Sequence, residues 1–136
     1  MKTTVTFKQA LLTSMLFIFV TASSIVSNAG SLPVESAPGA PSAFTALLNN
    51  NKVDLKWSTE TETDLSHFIV ERSADGTNFS NAALVFAYGN TTSKSDYIFA
   101  DNISKLQPGV VYYRIIAVSA DGKNQVSDTR LIRTAK

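Results

Sequence analysis

From Ala43 onward the chain never keeps apolar residues at helical spacing over three turns. It runs instead through short apolar or alternating stretches separated by turn residues. That rhythm predicts strands and almost no helix. The stretches are AFTALLN, KVDLKWS, HFIVERS, ALVFAYG, DYIFAD, VYYRIIAVS and VSDTRLIR, rich in β-branched and aromatic residues. Seven strands of this length predict a single antiparallel β-sandwich. In KVDLKWS the alternation is clean, with Val53, Leu55 and Trp57 on one face and Lys52, Asp54 and Lys56 on the other, so this strand is half buried. Both faces of VYYRIIAVS are largely apolar, which predicts a central strand covered on both sides or one carrying a bulge. Asn49-Asn50-Asn51, Asp75-Gly76 and Asp121-Gly122 stand where hairpin turns need a positive φ.

What precedes Ala43 reads differently. Lys2 and Lys8 form a basic start, Ala10 to Val20 is an apolar run, and Thr21 to Ala29 is small and polar. Residues 1–29 are thus expected to be a secretory signal peptide. The run is too short to span a bilayer and is interrupted by Thr13 and Ser14, so no membrane span is expected after cleavage. Residues 30–42 (GSLPVESAPGAPS) hold three of the four prolines and read as an extended, poorly packed leader, with the folded domain at 43–136. Export directs the protein to the periplasm or outside the cell. With no cysteine, no disulfide can hold it and no lipidated N-terminal cysteine can anchor it. Of the 12 Lys and Arg, Lys2 and Lys8 leave with the signal, so 10 basic residues face 11 acidic ones. A near-neutral domain without clustered Lys and Arg is not expected to bind nucleic acid.

Two details sharpen the sandwich. Trp57, the only tryptophan, ends an alternating strand, and LQPGVVYYR (Leu106 to Arg114) combines a Leu, a Pro-Gly turn and a tyrosine at a strand entry. A buried Trp and a corner Tyr are devices that lock such folds. On these residues the chain resembles a fibronectin type III domain. KVDLKWS resembles that family's second strand, and LQPGVVYY resembles its Leu-x-Pro-Gly-x-x-Tyr corner, which assigns the corner to Tyr112. NNNKVDLKWSTETE, FIVERSADGTNF and YYR before a DGK turn further resemble modules of secreted and surface proteins of Gram-negative bacteria. The resemblance covers about residues 41–134 and implies an all-β, seven-stranded, immunoglobulin-like antiparallel sandwich, with Trp57, Leu106 and Tyr112 as core markers. After Tyr112 the spacing to the Arg departs from the family pattern, leaving the facing of Tyr113, Arg114 and Ile115 open.

Chemistry is sparse. His67 is the only histidine, with no cysteine to share a metal, and is expected at a strand end on the surface. No nucleophile-base pair or cofactor motif is evident, so no catalytic residue, cofactor or metal is assigned. Glu60, Glu62 and Asp64 in TETETD, with Asp121 and Lys123 in the ADGK turn, are the candidate binding loops, and the resemblance implies that they share one pole of the sandwich. Four carboxylates there suggest calcium, but a solvated acidic loop is the stronger expectation. Phe86, Tyr88, Tyr97 and Tyr113 are candidates for a sugar-stacking platform, weighed against Phe86 and Tyr97 being core or cross-strand pairs. Asn78, Asn90 and Asn102 head N-x-Ser/Thr triplets and are read as turn residues. The expectation is a monomeric, non-catalytic interaction or spacer module for a protein or cell-envelope component, with carbohydrate binding as the alternative.

Overall fold

A computed structural model describes residues 37–134. The expected signal peptide and residues 30–36 of the leader lie outside the described residues. Eight strands follow in order: β1 (Ser42–Asn49), β2 (Lys52–Thr59), β3 (Leu65–Ser73), β4 (Ser80–Phe86), β5 (Ser95–Asn102), β6 (Gly109–Ser119), β7 (Asn124–Val126) and β8 (Arg130–Thr134). All pairings are antiparallel. One sheet has the order β1-β2-β5. The other has the order β4-β3-β6-β7, with β8 also on β6. The strand count therefore exceeds the expected seven. The last edge position is shared by β7 and β8, which pair with different halves of β6 and are interrupted at Ser127-Asp128-Thr129. No helix of the described residues is long and apolar enough to cross a membrane.

Period-two alternation builds the core. Val53, Leu55 and Trp57 of β2 are buried, as expected, and meet Phe68 and Val70 of β3 and Val111, Tyr113, Ile115 and Ala117 of β6. Trp57, 2% exposed, stacks on Tyr97 of its own sheet with centroids 5.6 Å apart and takes Phe68 of the other sheet edge-on at 5.4 Å. These rings join the two layers.

The phase of β6 corrects one expectation. Tyr113, not Tyr112, faces the core, while Tyr112 lies half-buried on the outer face with its ring about 3.3 Å from where a Cβ on Gly76 would stand. Burial decides the phase. The alternative would drive the Arg114 guanidinium into the core, whereas here it pairs with Glu71 at 2.6 Å on the outer face. Strand β6 is central in its sheet, but among the described residues no third layer covers its outer side, and the register shifts lie at its partner β3 rather than along its own core run. Leu106 is half-buried and packs against the core margin.

Buried tyrosines are tied to carboxylates at both ends of the sandwich. Near the β1–β2 turn, the Tyr113 hydroxyl donates to Asp101 Oδ2 at 2.8 Å, and Arg72 Nη1 donates to both Asp101 oxygens at 3.0 and 2.8 Å. Because Asp101 sits on β5 while Arg72 and Tyr113 sit on β3 and β6, this triad cross-links the sheets. At the other end the Tyr97 hydroxyl donates to Glu62 Oε1 at 2.5 Å and accepts from the Tyr88 backbone N–H at 3.1 Å. Burial, then hydrogen bonding to Glu62 or Asp101, raises the pKa values of Tyr97 and Tyr113 far above the ordinary phenol range. Since both pKa values are raised in the fold, their contribution is complete below the unfolded phenol value and is lost as pH climbs toward the folded one. An alkaline titration followed by tyrosinate absorbance is expected to leave two of the four phenols neutral beyond the ordinary range, ionising together with unfolding.

The turns use positive φ where expected, at Asn50 (53°), Gly76 (78°) and Gly122 (82°). In the first Asp-Gly turn Asp75 accepts from the backbone and side chain of Asn78, at 2.7 and 2.6 Å, and from the Thr77 backbone at 2.8 Å, which lowers its pKa well below the usual carboxylate range. That contribution is present above the unfolded value and lost as pH falls through the folded one. Gly76→Ala forces a Cβ into left-handed backbone and against the Tyr112 ring, and is expected to cost about 1 to 2 kcal/mol in a urea titration.

Candidate loop site at one pole of the sandwich

Strands β2, β4 and β6 run into three loops that gather around residues 60–64. Backbone bonds lash this segment on every side. Thr61 O accepts from Gly39 N at 2.7 Å, Glu62 and Thr91 exchange two bonds at 2.9 and 3.0 Å, and Asp64 O accepts from Ala120 N at 2.7 Å. The Asp64 N–H donates to Asn90 Oδ1 at 2.7 Å, and Asp64 itself holds a φ of 50°. The leader joins this pole: Gly39 is buried and Gln125 Nε2 donates to Pro38 O at 3.0 Å, so the stretch expected to be loosely packed is docked from Pro38 onward.

The five loop candidates divide. Asp64, Asp121 and Lys123 come together around an open concavity of about 680 Å³ that Pro38 and Gln125 also line. Glu60 is exposed but does not line it. Glu62 departs from the expected solvated loop. It is 2% exposed, turned inward to accept from Thr59 Oγ1 at 2.8 Å and from Tyr97, and its Oε2 has no partner among the described residues. A small polar side chain from the strand end and a phenol from β5 offer a carboxylate better partners inside than a one-residue alternation suggests. Asp121 and Lys123 form an exposed ion pair at 2.7 Å; the Lys123 hydrogen bond lowers the Asp121 pKa, and the same bond raises that of Lys123. An exposed pair of this kind adds little stability, which leaves both groups available to a partner.

Convergence of four carboxylates does not occur, since Glu62 points to the core and Asp121 is taken up by Lys123. Among the described residues no group of three His, Cys, Asp or Glu stands close enough to hold a metal ion. His67 is half-buried beside Ser66, whose hydroxyl lies 3.0 Å from Nδ1. Of the aromatic candidates, Phe86 (78% exposed) and Tyr88 (70%) face solvent, while Tyr97 and Tyr113 are core residues and leave the platform. Asn78 and Asn102 spend their side chains on local turn hydrogen bonds, while Asn90 Oδ1 accepts from the Asp64 N–H of the neighbouring loop.

Sequence reasoning missed Asp101 and Arg72 as partners of the core tyrosine. The signal was readable: Ser95, Tyr97, Phe99 and Asp101 share one face of β5, so a carboxylate stands at a core position.

No family model matches the chain, and no curated protein matches it either. Solved structures do. The spore cortex lytic enzyme SleM of Clostridium perfringens is similar with a TM-score of 0.54 and 16% identity over 71% of this chain and 28% of that one. A β-1,2-glucanase from Parabacteroides distasonis is similar with a TM-score of 0.54 and 24% identity over 79% of this chain and 14% of that one. A Fn3-like protein from Clostridium thermocellum has a TM-score of 0.48 and 25% identity over 74% of this chain and 97% of its own. Likeness to the two enzymes is a likeness of fold, and this chain spans less than a third of either.

Proposed function

We propose that the chain is an exported, non-catalytic module of the fibronectin type III kind, serving as a spacer or as a binding domain for a protein or cell-envelope component. Topology supports the family. In an immunoglobulin constant arrangement the fourth strand joins the sheet of the first, second and fifth, whereas here β4 pairs with β3. The basic start, apolar run and small-residue stretch of residues 1–29 support export. Its fold recurs as a minor part of two longer chains, which favours a modular role.

The observation that carries the binding role is the loop pole. Backbone bonds fix its rim, while Asp64 and the Asp121–Lys123 ion pair lie exposed around a concavity. A fixed backbone with accessible polar tips loses little entropy on binding. A pull-down from native culture is expected to retain a protein or envelope component with the parent chain and to lose it when Asp64, Asp121 and Lys123 are all replaced by alanine. Equal retention by both would refute the assignment of the site.

Carbohydrate binding is favoured by one separate observation. The exposed Tyr88 ring stacks 5.1 Å from Tyr97, and its own N–H is held by the Tyr97 hydroxyl, giving a fixed aromatic plate at the surface. A glycan array is expected to show binding that Tyr88→Ala removes. An array with no signal above background ends this reading.

A further inference from the structure

The phase that puts Tyr113 in the core puts Ile116 and Val118 on the outer face of the larger sheet, and register extends them into rows. Leu84 of β4, Ile69 of β3, Ile116 of β6 and Val126 of β7 occupy successive positions of one cross-strand row. Phe86, His67, Val118 and Asn124 form the row beside it. Leu84, Phe86 and Val126 are 53%, 78% and 55% exposed, so much of this apolar surface faces water. On the other flank stands a single ionic row, Glu71 with Arg114, whose guanidinium also lies 3.9 Å from the centroid of the Phe79 ring.

We propose that this face packs against the same face of a second copy of the chain. The charge pattern selects that occupant and its orientation. A two-fold axis parallel to the strands, passing between β3 and β6, sets Ile69 over the partner's Ile116, Leu84 over the partner's Val126, and Glu71 over the partner's Arg114. Each acid then meets a base and no like charges face each other. A two-fold axis at right angles to the strands would instead set β3 over the partner's β3 and β6 over the partner's β6, so Glu71 would not face the partner's Arg114. Two rows across four strands are smaller than the roughly 800 Å² per partner of a standard interface, so the association is weak and depends on concentration. This departs from the monomer expected from sequence, and it concerns the sheet face rather than the loop pole.

The absence of cysteine makes a positional test clean. Leu84→Cys and Val126→Cys are prepared in the full chain, mixed, and treated with a thiol cross-linker reaching about 10 Å, the spacing of stacked sheets. Covalent dimer is expected several-fold more from the mixture than from Leu84→Cys alone, because the two Leu84 positions stand about 14 Å apart laterally, three strand spacings. Sedimentation equilibrium of the unaltered full chain is expected to show mass rising toward twice the monomer between micromolar and millimolar concentration. Ile116→Lys, an outer-face change, stays monomeric with an unchanged melting temperature. Equal cross-linking from both preparations, a constant monomer mass, or unimpaired self-association of Ile116→Lys would overturn the proposal. So would a chain that stays monomeric while a glycan or unrelated protein occupies this face.

Discussion

Trp57→Ala lowers the unfolding free energy by about 3 to 5 kcal/mol, a large share of the roughly 5 to 15 kcal/mol that a domain of this kind possesses. The indole is 2% exposed, stacked on Tyr97 and edge-on to Phe68, so its removal opens a void between the sheets and strips contacts from two further rings. Trp57→Phe is expected to cost far less. The indole Nε1 has no hydrogen-bond partner among the described residues, so the smaller ring forfeits packing but no polar contact. Urea titrations followed by circular dichroism, which does not depend on the indole, measure both. A Trp57→Ala variant as stable as the parent would mean that β2 runs in the opposite phase.

Asp101→Ala is expected to cost about 2 to 4 kcal/mol. Breaking a fully buried ion pair costs about 3 to 5, and Arg72, about a third exposed, recovers part of that through water. The carboxylate accepts three bonds, so its loss strands both a guanidinium and a buried phenol. Tyr113→Phe removes one of those bonds and is expected to cost about 0.5 to 1.5 kcal/mol, while Tyr112→Phe costs almost nothing. That contrast, read from denaturation midpoints, separates the two adjacent tyrosines. A larger loss from Tyr112→Phe would reverse the phase of β6.

The two tyrosines also show where sequence stops being legible. Alternation placed Val53, Leu55 and Trp57 correctly because polar residues separate them on a single face. In VYYRIIAVS both phases are apolar apart from Arg114, and only a cross-strand partner, Glu71, decides which side the arginine takes. Glu62 was equally opaque. Its neighbours Glu60 and Asp64 are exposed, and nothing local reveals that Thr59 and Tyr97, the latter 35 positions away, offer it hydrogen bonds inside the fold. The clustering of Asp64, Asp121 and Lys123 at one pole was legible only through the family resemblance, whose topology sends the β2–β3 and β6–β7 loops to the same end. The apolar rows across the larger sheet were not, since they exist only once register aligns β4, β3, β6 and β7.

Binding through the loop pole is tested most directly by position-specific photo-cross-linking in the native host. A photoreactive residue replaces Lys123 at the pole in one strain and Lys52, exposed where β2 begins at the opposite end, in another. Capture of a discrete protein or envelope component from position 123 and none from position 52 is the predicted result. Equal capture from both ends, or capture from position 52 alone, would contradict it.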